Sequence, residues 1–548
     1  MMNGSQILAR ALKRQGADTF FYIMGGPMMA AETSTMGEGI RGVDVRHEQA
    51  AAMMAHAYAR LRNRPGICMA ASGPATTNLL TGVAHAWADG VPIIAFGGSS
   101  PVSSWGTGAF QEMDQLSAFL PCTKWAARAH HPAKVPELVA RAFQQAMSGK
   151  PGPVYIDMPG DVLYHDIDEN TIEWPEPWEV GSRARPAADE STVSKLVELL
   201  SKAERPVIIS GSGVLWSEAS SEYQTFVEQC GIPFYTTPQS RGAIPEDHDY
   251  CYLSARSTAF READLIIVLG TRMNYVIGHA APPRFNTSAK IVRIDIDPTE
   301  LDTSPRALDL GVVADARTAL KQLTQATKGK VSPDNFASWR DRLRGHNQSK
   351  AAEQEKIISS GETPIHPLRL CKEVRDFMSR DDVLVVDGQE ILNYGRQSIP
   401  TFKPAHRMNS GVFGTMGVGL PFGVGAKVAA PDSRVIVLHG DGSFGMNAME
   451  VDTAVRHNAP VLIIISLNGG WTGDPEKEKP GRDLGYTRYD KLAESLGAYG
   501  EFVEKPEDIR PALERAAEVV ASGKTALVNV VTDWRARATT AAFTRYVT

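Results

Sequence analysis

Gly440-Asp441-Gly442-Ser443, followed further on by Asn468-Gly469-Gly470, is the stretch whose residue types point most directly to chemistry. Each motif closes a short apolar run: Val435-Ile436-Val437-Leu438-His439 before the first, Val461-Leu462-Ile463-Ile464-Ile465-Ser466-Leu467 before the second. Runs of this kind read as buried parallel strands, whose carboxyl ends share one edge of a sheet. A carboxylate from Asp441 and an amide oxygen from Asn468 are then delivered to one point. Such oxygen donors suit Mg²⁺ or Ca²⁺, and Mg²⁺ is commonly completed by phosphate oxygens. Gly442 and Ser443, at the start of the next helix, add backbone N–H groups and a hydroxyl where anions are favoured. The expectation is a metal-bridged diphosphate site. A plain strand–turn–helix with an Asp-Gly turn does not account for the second motif after a second buried run.

What must position these residues is an alternating α/β chain. Short apolar runs ending in Gly, Asp, Ser or Asn recur at residues 66–72, 206–210, 265–270, 291–297, 383–388, 434–442 and 461–468. Helical patterns separate them, as in βαβ units. Residues 164–190 are acidic and proline-rich and read as a linker; residues 325–365 read as a helical connector with a loop at each end. Three α/β units follow, at 1–165, 188–330 and 365–530. Lys plus Arg total 57 against 63 Asp plus Glu, a net charge of −6, which argues against nucleic acid or an anionic membrane surface as partner. The five cysteines are scattered and form no CxxC pair, against a disulfide framework or a cysteine zinc site. No apolar stretch is long enough to span a membrane, and the first residues read as an amphipathic helix rather than a signal peptide. The expectation is a cytoplasmic enzyme.

The spaced Gly-Asp-Gly and Asn resemble the signature of thiamine-diphosphate (ThDP) enzymes, and the resemblance extends over nearly the whole chain. Arg46-His47-Glu48-Gln49-Ala50-Ala51 looks like the family's glutamate motif. Ser72-Gly73-Pro74-Ala75-Thr76-Thr77-Asn78 is similar to its SGPG-type loop, and Gly414-Thr415-Met416-Gly417-Val418-Gly419-Leu420-Pro421 to its pyrimidine-binding turn. The resemblance implies three doubly wound parallel-sheet α/β domains: pyrimidine-binding, middle, and diphosphate- and Mg²⁺-binding. It implies Mg²⁺ on Asp441, Asn468 and Gly470, and cofactor contacts from Pro27, Ser72, Asn78, Gln389, Gly414, Met416, Gly442 and Ser443. Glu48 would be the acid held against the pyrimidine; partial burial at the start of an apolar helix can raise a carboxyl pKa so that it shares its proton. Its plainer role is a helix cap. Met416 would sit beneath the bent cofactor, and the Gly414 carbonyl would accept from the 4′-amino group. Gln389 is preferred over Glu390 for the diphosphate, since a carboxylate is a poor phosphate partner. Active sites between two chains imply a homo-oligomer, at least a dimer and usually a tetramer.

Leu269-Gly270-Thr271-Arg272-Met273-Asn274-Tyr275, Pro282-Pro283-Arg284-Phe285 and Asp295-Ile296-Asp297 resemble the oxalyl-CoA decarboxylase and 2-hydroxyacyl-CoA lyase branch, whose middle domain holds ADP. Arg272 would then meet phosphate, Asp295 and Asp315 ribose or adenine, and Gly211 would let backbone approach the diphosphate. Phe110-Gln111 stand where oxalyl-CoA decarboxylases carry Tyr-Glu, which argues against an oxalyl substrate. Acetolactate synthases usually have an acidic pair after the arginine and lack Pro-Pro-Arg. Trp471 and Tyr486 would wall an apolar pocket, Asp483 is a candidate proton donor, and Gln111 or His47 would orient a 2-hydroxyl. Residues 534–548, with Arg537 and Arg545, resemble a lid that clamps CoA phosphates; a frayed terminus is the plainer reading. The function implied is cleavage of a 2-hydroxyacyl-CoA to formyl-CoA and a ketone or aldehyde through the ThDP C2 carbanion. A short branched substrate such as 2-hydroxyisobutyryl-CoA suits the compact residues Met28, Met29 and Phe110. The rivals are oxalyl-CoA decarboxylase, an acetolactate synthase-type carboligase, and a binding subunit without chemistry. The last predicts a broken Glu48, Asp441 or Asn468, and all three are present.

Overall fold

The computed structural model describes residues 1–179, 181, 183–471, 478 and 480–538. Three all-parallel sheets carry the α/β fold. The N-terminal sheet has six strands in the spatial order Arg41–Asp44, Thr19–Ile23, Gly66–Ala70, Ile93–Ser99, Val154–Pro159, Trp125–Arg128. The middle sheet has five: Phe234–Thr236, Pro206–Ser210, Leu265–Leu269, Lys290–Asp295, Leu310–Val313. The C-terminal sheet has six: Arg407–Asn409, Val383–Asp387, Val435–Gly440, Leu462–Leu467, Ala526–Val531, Tyr499–Val503. Central strands such as Leu265–Leu269 are buried at every residue, as a sheet covered by helices on both faces requires.

In the two six-stranded sheets the chain visits the far-edge strand, Trp125–Arg128 or Tyr499–Val503, before the strand that lies inside it. In all three sheets it passes from the second strand out to the first edge, then returns to the other side. Those switch points lie between Thr19–Ile23 and Gly66–Ala70, between Pro206–Ser210 and Leu265–Leu269, and between Val383–Asp387 and Val435–Gly440. Loops diverge there, leaving a crevice at the strands' carboxyl ends. The three crevices are bordered by Pro27 and Ser72, by Gly211 and Thr271, and by Gln389 and Asp441.

Two helices lock the outer domains together. Glu48–Arg62 is alanine-rich, is capped by the His47 side chain accepting from Gln49 N, and stops at Asn63 in a left-handed conformation. It packs on Gly419–Ala429, whose Gly425 lies against the Met54 backbone with no room for a Cβ. The segment that follows Gly440 forms two helices, Asp441–Met446 and Glu450–Arg456. The break falls at Asn447, whose amide donates to Gly417 O at 2.7 Å and so ties this turn to the segment before Gly419. The 325–365 connector contains the helix Ala337–Ile358, anchored on the middle domain by Trp339 and Leu343. No helix among the described residues is long and apolar enough to cross a membrane.

Candidate active site

Val435–Gly440 and Leu462–Leu467 pair in register, Gly440 opposite Ser466, so Asp441 and Asn468 leave the sheet side by side. The Asp441 carboxylate is buried, and its two oxygens accept from Gly442 N and Gly469 N, each at 2.8 Å. Burial pushes its carboxyl up to about 6 against the lowering pull of those amides. No cation among the described residues pairs with it. A buried carboxylate beside an amide oxygen and a strand-end carbonyl is the donor set of a hard divalent cation, so the residues fit Mg²⁺. Asn468 Oδ1 accepts from Gly470 N at 3.3 Å.

The later segment folds back on this loop. Gly470 bridges Asp483, Trp471 N donates to Arg482 O at 2.7 Å, and Leu484 N donates to Gly469 O at 2.8 Å. The Trp471 ring covers Gly442, where a Cβ would lie 2.7 Å from the ring, and the Tyr486 ring covers Gly469 at 3.2 Å. Trp471, Asp483 and Tyr486 are therefore brought to the proposed metal loop by backbone pairing. Ser443 is drawn inward: its hydroxyl donates to Gly440 O at 3.0 Å and lies 3.0 Å from His439 Nδ1. Gln389 is exposed at the neighbouring strand end. Glu390 accepts from Ala538 N at 2.8 Å, which pins the start of the tail; Arg537 donates to the carbonyls of Trp534 and Ala536. Arg545 lies outside the described residues.

Gly414 has φ +72°, a backbone only glycine adopts freely, and Met416 stands between it and Gly417 at φ +84°. On the N-terminal side Asn78 Nδ2 donates to the half-buried Glu48 at 2.9 Å. Ser72 Oγ donates to Gln111 Oε1 at 2.6 Å and lies 3.2 Å from Gly26 O, beside Pro27. Gln111 has φ +57°, an uncommon state for a side-chain-bearing residue, pressed against Gly73. Phe110 next to it is 85 % exposed. Gln49 bonds Asn447 at 2.9 Å, and Asn447 bonds Gly417 O, so the glutamate motif and the Met416 turn share one bridge.

The middle-domain crevice opens into a cavity of about 1520 Å³ reaching Gly411 and Val412, just before the Met416 turn. Asp295 lines it, buried, with its carboxyl pushed up to about 6 by burial. Arg272 lines it too but is committed, donating to Ala88 O at 2.6 Å and to Glu300 at 3.1 Å. Asp315 is not in the lining. It caps the helix Ala316–Thr327 through Thr318 N, accepts from Ser217 Oγ and pairs with Arg185. Gly211 packs against Thr271 so closely that a Cβ would overlap it, which keeps the two strand ends together, and Ser212 and Gly213 face the cavity.

Sequence reasoning missed part of the cationic lining of this cavity. Arg256, Arg284 and Arg396 converge on it. Burial first, then Arg284, Arg396 and Arg241, pull Arg256 down to about 9; burial, Arg241 and Arg284 pull Arg396 down to about 10. Only Arg284 stood in a motif already noted. Glu450 was also missed. It is buried under the Glu48 helix, accepts from Arg46 N at 3.1 Å and Thr453 Oγ1 at 2.6 Å, and burial pushes it up to about 7.

Comparison with known proteins identifies the three domains. Residues 2–118 match the thiamine pyrophosphate (ThDP) enzyme N-terminal TPP-binding domain, 193–323 its central domain and 392–530 its C-terminal TPP-binding domain. The chain is 32% identical to a 2-hydroxyacyl-CoA lyase of Arabidopsis thaliana, covering 97% of this chain and 96% of the relative. It is 32% identical to a probable acetolactate synthase of Mycobacterium bovis, over 97% and 96% of the two chains. It is also 32% identical to the oxalyl-CoA decarboxylase of Escherichia coli K12, over 97% and 95%. With all three domains matched in order, the chain belongs to the thiamine pyrophosphate enzyme family, and members of the 2-hydroxyacyl-CoA lyase and oxalyl-CoA decarboxylase branch stand among its relatives.

Proposed function

We propose that the chain is a Mg²⁺-dependent 2-hydroxyacyl-CoA lyase that cleaves a 2-hydroxyacyl-CoA, 2-hydroxyisobutyryl-CoA being a candidate, to formyl-CoA and a ketone or aldehyde. The observation that carries this reading is the cluster of Arg256, Arg284 and Arg396 in a cavity that runs to Gly411 and Val412. Partly buried guanidiniums gathered in one cavity, with burial and Arg284 both pulling down Arg256 and Arg396, call for a polyanion. The phosphates of CoA or of ADP supply one, and the cavity's reach to the cofactor turn lets a pantetheine arm bring a thioester there. Arg284 comes from the Pro-Pro-Arg motif that favours the CoA branch over the acetolactate synthases.

ThDP, once bound, supplies a nucleophilic carbon and an electron sink for cleavage beside a carbonyl. Asp441, Asn468 and the Gly470 carbonyl would hold Mg²⁺ against the diphosphate, with Gln389 at its edge. Glu48, kept in place by Asn78, would hold a proton at the pyrimidine ring. Gln111, held by Ser72, would orient the substrate hydroxyl. Trp471, Tyr486 and Phe110 would exclude water, and Asp483 is the nearest candidate to hold the proton delivered to the product. Arg537 and Arg545 would close over CoA. ADP in the middle domain would rest on Asp295 and the Gly213 backbone rather than on Arg272 or Asp315. The exposed Phe110, Phe413, Met446 and Trp105 border these loops and suit burial against a second copy, so a homodimer or tetramer completes the reading. A cytoplasmic location goes with it.

Product analysis with ThDP and Mg²⁺ tests the proposal, with 2-hydroxyisobutyryl-CoA, oxalyl-CoA and pyruvate offered side by side. Formyl-CoA with acetone, absent in Glu48→Ala, supports it. Carbon dioxide with formyl-CoA from oxalyl-CoA alone makes the chain a decarboxylase, and turnover of pyruvate alone makes it an acetolactate synthase-type carboligase.

A further inference from the structure

Asp89 closes the helix Pro74–Asp89, and its carboxylate is fully buried. One oxygen accepts from Val412 N at 3.0 Å. The other accepts from Gln239 Nε2 at 2.6 Å and lies 3.2 Å from His85 Nε2, with His56 Nε2 at 3.8 Å. Each domain thus contributes a donor to one carboxylate: His85 from the first, Gln239 from the middle, Val412 from the third. Gln239 is itself fixed, because Arg60 donates to its side-chain oxygen and, at 3.2 Å, to its backbone carbonyl. Gly411 lies so close to both Asp89 oxygens that a Cβ there would overlap them. Val412 precedes Gly414 by two residues.

His56, His85 and Asp89 place three potential metal-ligand atoms within 4.8 Å of one another. A metal-bound imidazole, however, donates its second N–H to an acceptor. The Nδ1 atoms of both histidines are buried without a hydrogen-bond partner, while Phe422 packs on both rings. Both Asp89 oxygens are already taken. The cluster is a hydrogen-bonding node rather than an ion site; burial raises the Asp89 carboxyl, but His85, His56 and the Val412 amide together bring it down to about 2.

We propose that Asp89 is a positioning residue for cofactor binding, holding the Gly411–Gly417 turn in register from the wall of the middle-domain cavity. This rests on the reading of Gly414 and Met416 as the pyrimidine-binding turn. The charge that sets the turn then lies outside the cofactor site, in the contact among all three domains.

Asp89→Asn is the first test, since it keeps the size but turns one acceptor into a donor. Its NH₂ would face the Gln239 NH₂, which Arg60 prevents from flipping. ThDP affinity with saturating Mg²⁺ is measured by calorimetry, the near-ultraviolet circular dichroism of bound ThDP is recorded, and melting is followed without cofactor. The variant should bind ThDP on the order of ten- to a hundredfold more weakly. Asp89→Asn with Gln239→Glu moves the carboxylate one residue over, where it accepts both from the new amide at position 89 and from Arg60, and should recover most of that loss. Gln239→Ala is the milder change, should one variant fold poorly, and should weaken ThDP several-fold, about the worth of one hydrogen bond, at near-normal melting. Wild-type affinity in both single variants overturns the proposal. So does a lowered melting temperature with unchanged affinity, or a double variant no better than Asp89→Asn. Absence of ThDP binding to the wild type would instead overturn the cofactor-turn reading itself.

Discussion

Asn78 Nδ2 donates to Glu48 Oε2 across 2.9 Å, joining the first residue of one helix to the second turn of another. The amide leaves Glu48 its other oxygen and fixes the direction in which it faces. A carboxyl that must exchange a proton at one atom needs that fixed direction more than it needs strength. Glu48→Ala should lower formyl-CoA production by about 10²–10⁴-fold, the usual worth of a positioned acid–base group. Asn78→Ala should cost about tenfold in kcat with KM little changed, since it loosens the carboxyl without removing it. Steady-state assay of the two variants checks this; equal losses would mean that Asn78 acts by holding the fold.

Removing one arginine from the cavity should have opposite effects with and without ligand. Arg256 stacks over the Phe260 ring and is held down to about 9 by burial and its cationic neighbours. In the ligand-free protein Arg256→Ala relieves repulsion, so the melting temperature should hold or rise. With acyl-CoA the same variant loses a charge-assisted phosphate contact, so KM should rise about 10- to 100-fold with kcat within a few-fold. Melting scans without substrate and initial rates against acyl-CoA concentration read the two signs separately. A fall in both stability and kcat would make Arg256 structural.

What could be seen in the sequence depended on how local each device is. That Asp441 and Asn468 meet at one sheet edge was legible because a strand-end motif carries its geometry in a few consecutive residues. The helix opened by Glu48 was legible for the same reason. Asp89 was not, because its partners Gln239 and Val412 lie 150 and 323 residues away. Arg256 and Arg396 sit within helices of different domains, Arg256–Glu262 and Glu390–Ser398, and nothing in either pattern shows that they converge. Asp315 illustrates the reverse: an Asp just before an amphipathic helix is a capping signal, and the structure uses it as one. Arg272 stands where the motif puts it, but Glu300 arrives from a helix that the motif does not include.

The Asp441 carboxylate makes a further claim testable without turnover. Its backbone donors orient it, but among the described residues only an added cation could balance its charge. Chelation of the purified protein should weaken ThDP binding by several kcal/mol, on the order of a hundredfold or more, with recovery on adding Mg²⁺. Asp441→Asn should bind ThDP at the chelated level whether or not Mg²⁺ is present. Titration calorimetry with and without metal decides; Mg²⁺-independent binding in the wild type would remove Asp441 from the metal site.

Glu32 should make the fold less stable as pH rises. It is fully buried in the helix Met29–Gly37, and neither carboxyl oxygen has a side-chain partner. Burial raises its carboxyl to about 8 from an ordinary 4.5, with the Gly25 amide offsetting only part; the neighbouring Tyr22 hydroxyl is itself raised. Between those values the folded chain keeps a proton that the unfolded chain has released. Stability is therefore full below about 4.5 and is lost as pH rises toward about 8. At about 1.4 kcal/mol per pKa unit the loss is several kcal/mol. Glu32→Gln has no proton to lose, so its stability should stay flat over this window wherever Glu32 sets the slope. Urea midpoints at pH 5 to 8 for both chains check this, the variant gaining most at the alkaline end. Parallel slopes would show that Glu450, at about 7, or Asp295, Asp387 and Asp441, each at about 6, carry the dependence instead.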